Sequence, residues 1–191
     1  MVTVVSDDLF VFYERLVGAG VICMITGSVG SSAYGEPRGT LDIDLVVALR
    51  PADIERVIAA FPEPRFYLPS HAIIARESAR SSGHFNIIEV DTGLKADLYP
   101  IGDDPLLEYG LDNATEIELA GRRVVVAPPT YLVAMKLRYF AMSQQDKHLR
   151  DIRGIVRLSG HLLDRTMIAH WAAKAGVGDA WRDCQERAGQ E

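Results

Sequence analysis

The sequence predicts an α+β fold in which a head of mixed strands and helices is followed by a helical tail. Before Pro128, short apolar runs typical of strands alternate with stretches of helical spacing, and glycine-containing turns join two strand pairs. After Pro128 the helical spacing continues, and no further strand signal follows. We therefore predict an α/β domain over residues 1–127 and a helical region over residues 128–191 that packs on it. The two parts can also be counted as one domain.

Helices and strands alternate in the first half of the head. Helical spacing is found over residues 6–20, 51–61 and 70–83, and apolar strands over residues 21–26 and 41–49. Ser6 is placed to cap the first helix, and Asp7 and Asp8 favour the positive end of its dipole. Gly83 ends the third helix. This order puts a strand on either side of a small, polar segment that begins at Gly27.

Two hairpins and four helices complete the pattern. Each hairpin has two β-rich runs around a tight turn that contains glycine, and the hairpins span residues 84–101 and 114–129. The helices of the tail span residues 129–143, 145–160, 164–176 and 178–189.

The composition is that of a globular protein. The chain has 191 residues, of which 48% are hydrophobic and 24% charged, so it has enough apolar material for a core. Its net charge of −6 argues against nonspecific coating of nucleic acid. We find no signal peptide and no apolar run of membrane-spanning length, and we expect a cytoplasmic protein without a membrane contact. The two cysteines form no disulfide framework, and we expect Cys23 to be a buried free thiol.

The segment GSVGSSAYGEPRGTLDID, residues 27–44, ends in two carboxylates one residue apart. Because side chains alternate along a strand, Asp42 and Asp44 project from the same face. The opposite face carries the apolar residues Leu41, Ile43 and Leu45, which we expect in the core. Two carboxylates on one face repel each other unless they are solvated, protonated or bridged by a cation, and Mg²⁺ is a usual bridge.

The start of the same segment is suited to a phosphate. Gly27 allows a close approach of the backbone to a ligand, and Ser28 offers a hydroxyl. If a short helix begins there, its exposed N–H groups also favour an anion. Arg38 lies between the two halves of the segment and can reach a phosphate.

A third carboxylate lies in the first hairpin. Asp97 shares a strand face with Lys95 and Tyr99, whereas the other face is apolar. If this strand is a neighbour of the strand with Asp42 and Asp44, three carboxylates converge and can hold two metal ions for phosphoryl or nucleotidyl transfer. Each signal alone is also typical of an ordinary surface loop, but their combination favours a functional site.

These residues resemble the signature of the DNA polymerase beta-like nucleotidyltransferase superfamily. The signature is Gly27-Ser28 followed, after a short helical segment, by Asp42-Ile43-Asp44, with Asp97 as the third carboxylate. Residues 85–100, 121–139 and 146–152 are similar to the small prokaryotic branch that includes abortive-infection and toxin–antitoxin nucleotidyltransferases, so the resemblance covers most of residues 20–160. It implies a short mixed β-sheet flanked by helices, followed by a C-terminal helical region. It also implies the Mg²⁺-dependent transfer of a nucleoside monophosphate from an NTP to a hydroxyl.

The resemblance assigns roles to individual residues. Asp42, Asp44 and Asp97 would be catalytic and metal-binding, and Asp97 would help to deprotonate the acceptor hydroxyl. The residues that would bind the NTP phosphates are Gly27, Ser28, Arg38 and Lys136. Asp146 and Asp151 match an acidic segment of the family. From the residues alone, Lys136 is equally a snorkelling lysine of a half-buried helix, and Asp151 is equally the surface partner of Lys147.

Several alternatives stay open at this point. The acceptor is an RNA 3′ end, a protein hydroxyl or a small molecule, and a cognate toxin or antitoxin is a further candidate partner. No residue that would assist the acceptor hydroxyl is identifiable, and the five histidines are interpreted as surface or packing residues because they lack the H-E-x-x-H spacing. The competing functions are a degenerate member of the fold that acts as a binding or antitoxin module, and a metal-dependent phosphohydrolase.

Overall fold

The computed structural model describes residues 7–37 and 39–189, so Ser6 and Arg38 lie outside the described residues. The strands are β1 (Ile22–Thr26), β2 (Asp42–Ala48), β3 (Phe66–Tyr67), β4 (Phe85–Glu89), β5 (Lys95–Pro100), β6 (Thr115–Leu119) and β7 (Arg122–Val126). The helices are α1 (Phe10–Gly18), α2 (Gly27–Ser32), α3 (Ile54–Ala60), α4 (His71–Ser78), α5 (Pro105–Asp112), α6 (Pro129–Ser143), α7 (Asp146–Ser159), α8 (Arg165–Lys174) and α9 (Gly178–Ala188). Short 3₁₀ turns lie at Asp7–Leu9, Pro51–Asp53 and Gly160–Leu162.

The strands form one mixed sheet with the order β3-β4-β5-β2-β1-β7-β6. The pairs β2–β5 and β1–β7 are parallel, and the other neighbouring strands are antiparallel. Both predicted hairpins are present, as β4–β5 and β6–β7. The mixed sheet and the helices that follow it confirm the predicted α+β class. Most important for the site, β2 and β5 are neighbours in the centre of the sheet.

The two faces of the sheet carry separate hydrophobic cores. On one face, alternate residues of β2 such as Ile43 and Leu45 pack with α1, α3 and α4. The same core contains an aromatic group of Phe12, Phe61 and Phe66, with ring centroids 5.2–6.2 Å apart. On the other face, Met24 and Val46 pack with helices α5 to α9. Each such side chain contributes roughly 1.5–3 kcal/mol by burial. The polar residues of β2 therefore face the C-terminal helices.

The helix predicted over residues 70–83 is shorter than expected and ends at Ser78. Glu77, which is buried, accepts hydrogen bonds from the side chain of Arg80 and the backbone N–H of His84. These bonds hold the chain in a loop between α4 and β4, so the helix cannot continue.

Two further differences concern the edges of elements. Leu41 was expected in the core but is 76% exposed, because β2 begins only at Asp42. The short strand β3 and helix α5 were not predicted. Helix α5 begins at Pro105, with Asp104 accepting a hydrogen bond from the backbone N–H of Leu106, which is a recognisable start signal.

Both cysteines are buried free thiols, as expected for Cys23. Burial raises the pKa of the Cys23 thiol to about 12 and that of the Cys184 thiol to about 11. In the part of the chain that the structure describes, the helices are too short or too polar to cross a membrane.

Candidate active site

A row of polar side chains crosses the middle of the sheet. Asp44 on β2 is paired with Asp97 on β5 and, on its other side, with Thr26 on β1. Asp97 is in turn paired with Asn86 on β4. Since directly paired residues share a face of the sheet, the four side chains lie on the same side. The structure thus brings Asp97 beside Asp44, which the sequence made conditional on the two strands being neighbours.

Asp42 lies two residues before Asp44 on the same strand and is paired with Lys95. The ammonium Nζ of Lys95 is 2.8 Å from Asp97 Oδ2 and 3.8 Å from Asp42 Oδ2. On the other side, the hydroxyl of Thr40 donates a hydrogen bond of 2.8 Å to Asp42 Oδ1. One lysine therefore connects two of the three carboxylates.

Gly27 begins helix α2 immediately after β1 and lies against Asp44. Its φ of +61° favours glycine, and a Cβ at this position would be 1.8 Å from Asp44 Oδ2. Ser28 follows in the first turn, and the hydroxyls of Ser31 and Ser32 donate hydrogen bonds to the carbonyls of Gly27 and Ser28. The glycine is thus required for the close contact between α2 and the carboxylate strand.

A cavity of about 970 Å³ opens between the carboxylate face and helix α6. From the head it is lined by residues that include Gly27, Ser28, Asp42, Asp44 and Tyr99. From the helical region it is lined by residues that include Met135, Lys136, Arg138, Tyr139, Lys147 and His148. This volume lies in the upper part of the range for small-molecule sites, so it can hold a nucleotide together with part of an acceptor.

Lys136 is on the cavity side of α6, with its side chain only 7% exposed. Its Nζ donates a hydrogen bond of 2.6 Å to Asp151 Oδ2 on α7. The structure therefore excludes the snorkelling alternative for Lys136, because its amino group stays inside. Asp151 also lines a smaller cavity of about 150 Å³ with Ser28. Asp146 is exposed at the start of α7.

The carboxylates differ in their electrostatic surroundings. Burial, followed by the negative charges of Asp97 and Asp42, raises the pKa of Asp44, although a hydrogen bond of 3.3 Å from the hydroxyl of Tyr99 opposes this. Burial also raises the pKa of Asp97, but its contacts with His84 and Lys95 outweigh burial and hold that pKa below its usual value. The negative charge of the three carboxylates is therefore compensated least at Asp44.

The sequence interpretation missed His84. Its Nε2 is 3.2 Å from Asp97 Oδ1, and its ring lies 4.9 Å from that of Tyr99. The signal was present in the hairpin, because Phe85 pairs with Leu98 and the preceding residue must then lie near Tyr99. His84 is therefore a neighbour of the site, although its side chain is 40% exposed.

A divalent cation fits this cluster in donor type and charge. The donors are carboxylate oxygens, which Mg²⁺ prefers, and the ammonium of Lys95 already marks a position for positive charge between Asp42 and Asp97. Beside Asp97, the buried Oδ1 of Asn86 has no hydrogen-bond partner among the described residues. The ligand shell of the cation is not complete in this arrangement, since residues 7–37 and 39–189 contain no group of three or more His, Cys, Asp or Glu side chains arranged to hold a metal.

The chain is similar in fold to several solved structures. The solution structure of the antibiotic-resistance factor ANT(2″)-Ia has a TM-score of 0.59 and 16% identity, covering 95% of this chain and 99% of its own. A crystal structure of the same factor in complex with adenylyl-2″-tobramycin has a TM-score of 0.57 and 14% identity, covering 85% of this chain and 94% of its own. An antigenic nucleotidyltransferase-like protein from Paracoccidioides brasiliensis has a TM-score of 0.53 and 17% identity, covering 93% and 94%. At these identities the likeness shows the fold.

The family is shown by the sequence itself. No curated protein sequence is significantly similar to the chain. Residues 31–183, however, match the family model described as nucleotidyl transferase AbiEii toxin, type IV TA system, which covers most of the chain. The chain therefore belongs to the AbiEii family of nucleotidyltransferases.

Proposed function

We propose that the protein is a Mg²⁺-dependent enzyme that transfers a nucleoside monophosphate from an NTP to a hydroxyl. The observation that carries this proposal is the pairing of Asp44 with Asp97 directly beside Gly27. The same cavity also contains Ser28 and the buried Lys136. This arrangement supports a site in which phosphate-binding groups and metal-binding carboxylates act on one bound nucleotide.

The residues of the cavity have separate roles in this proposal. Gly27 and Ser28 bind the β- and γ-phosphates, and Lys136, held by Asp151, offsets triphosphate charge. Arg38 is proposed as a second clamp. Asp42, Asp44 and Asp97 would hold Mg²⁺, which when bound activates the attacking oxygen and stabilises the leaving pyrophosphate.

The acceptor oxygen forms a bond to the α-phosphorus while the bond to pyrophosphate breaks. The hydroxyl proton passes to the carboxylate of Asp97, which acts as the general base. His84 and Lys95 hold Asp97 from two sides.

The acceptor and the cellular role are narrower proposals. The family description supports a toxin of a type IV toxin–antitoxin pair, with a cognate antitoxin as partner. The adenylylated tobramycin of the structural neighbour supports a small-molecule hydroxyl as an alternative acceptor to RNA or protein. Incubation of the protein with each α-labelled NTP, Mg²⁺ and cell lysate separates these classes, because the label then enters RNA, protein or small molecules.

A degenerate binding module is the second candidate, and the contact of Lys95 with two carboxylates favours it, because the cluster is already partly neutralised. Thermal denaturation with and without NTP plus Mg²⁺ separates the two functions. The enzyme is stabilised by a ligand that binds only the native state, whereas a module without a nucleotide site shows no shift with any NTP.

A further inference from the structure

Lys95 lies within the carboxylate cluster. It lies on β5 two residues before Asp97, and it is paired with Asp42 on β2. Its ammonium is 2.8 Å from Asp97 Oδ2 and 3.8 Å from Asp42 Oδ2. One positive charge therefore lies between carboxylates that project from two adjacent strands.

Lys95 compensates the charge of the carboxylates that it contacts. Its ammonium donates to Asp97 and lies within ion-pair distance of Asp42 on the neighbouring strand. Without a positive charge there, the carboxylates would repel each other across the β2–β5 pair. Lys95 thus offsets the repulsion that a metal ion would otherwise offset.

Lys95 is also able to leave this position. Its side chain is 33% exposed, and lysine carries a compact ammonium on a flexible four-carbon stem. Lys136 differs, because its side chain is only 7% exposed and it is held by Asp151. Of these two cations, Lys95 is the one that a divalent ion can displace toward solvent.

We propose that Lys95 is an internal counter-ion, which occupies the cation position between Asp42 and Asp97 in the metal-free protein and is displaced when a divalent metal binds. This inference rests on the proposed function, because it takes the carboxylates as the metal site. Lys95 then competes with the metal and sets the metal concentration at which the site fills. It also stabilises the fold while no metal is bound.

Mn²⁺ alone, without nucleotide, is the probe for this competition. Lys95→Gln should bind Mn²⁺ with a dissociation constant roughly tenfold lower than the wild type in titration calorimetry, because the competing charge is gone. The same variant without metal should melt roughly 2–4 °C lower, and Mn²⁺ should raise its melting temperature more than that of the wild type. Lys174→Gln, on α8 against Trp171, is the matched control for net charge in the binding measurement and should bind Mn²⁺ as the wild type does.

Lys95→Arg provides a second test if the glutamine variant folds poorly. Arginine keeps the charge and can hold a carboxylate with two donors, so Mn²⁺ should bind no more tightly than to the wild type. Tighter binding by Lys95→Arg, or unchanged or weaker binding by Lys95→Gln, overturns the inference.

Asp42→Asn/Asp44→Asn separates this inference from the proposed function. If this double variant loses Mn²⁺ binding but Lys95→Gln does not tighten it, the carboxylates remain the metal site and only the role of Lys95 is wrong. If the double variant binds Mn²⁺ as the wild type does, or if neither the wild type nor Lys95→Gln binds it, the metal site and the inference fall together.

Discussion

Replacing Gly27 by alanine should damage the site directly, because this glycine and Asp44 share a space that has no room for a side chain. The new Cβ would be 1.8 Å from Asp44 Oδ2 and 2.4 Å from its Cγ, so the carboxylate must move. The φ of +61° adds backbone strain. Strain of this kind costs about 1–3 kcal/mol, which corresponds to a fall in melting temperature of roughly 2–4 °C for each kcal/mol.

Gly93→Ala is the matched control for the loss of stability that backbone strain alone causes. Gly93 lies in the β4–β5 turn with a φ of +70°, and its added Cβ would meet nothing within 4 Å. Both variants should therefore lose stability through strain, but only Gly27→Ala should displace Asp44. The assay combines thermal denaturation with the rate of nucleotide transfer, and we expect transfer to fall roughly 100-fold in Gly27→Ala alone. Equal transfer rates in the two variants would refute the proposed contact between Gly27 and Asp44.

Three other predictions concern individual side chains. Asp44→Asn should leave the melting temperature unchanged or raise it, because it removes a negative charge that Asp97 and Asp42 repel. Thermal denaturation measures this, and a clear fall in melting temperature would contradict the prediction. Lys136→Met should lower the free energy of unfolding by about 3–5 kcal/mol in denaturant titration, since it breaks the buried ion pair with Asp151. A loss below about 1 kcal/mol would contradict the burial of this ion pair. The two buried cysteine thiols, with pKa values of about 12 and about 11, should resist a disulfide reagent at pH 8 until the protein is unfolded, and fast labelling of the native protein would count against their burial.

Local sequence patterns were sufficient to predict the helices and strands that carry the site residues. Pro129 and the helical spacing after it predict α6 with the bounds that the structure has. Strand alternation predicts that Asp42 and Asp44 share a face and that Ile43 is in the core, which the structure confirms. Leu41 shows the limit of this reasoning, because alternation applies only inside a strand and the first residue of the strand was misplaced.

Contacts between distant strands could not be predicted from alternation. The sequence shows that Lys95 and Asp97 share a face, but the pairing of Lys95 with Asp42 depends on a parallel register between strands separated by more than 40 residues. For His84 the hairpin register carried a signal, but the helix predicted as far as Gly83 obscured it. These two neighbours of Asp97 change the site from three carboxylates into a partly compensated cluster.

The central claim is that the carboxylates around Asp44 catalyse nucleotidyl transfer. The most direct test measures label transfer from an α-labelled and a γ-labelled NTP with Mg²⁺, by the wild type and by Asp44→Asn. Asp91→Asn, in an exposed turn, is the charge-matched control. We expect the wild type and Asp91→Asn to transfer only the α-label and Asp44→Asn to lose at least roughly 100-fold in rate while still folded. Full transfer by a folded Asp44→Asn, or release of γ-labelled phosphate without α-label transfer, would contradict the claim.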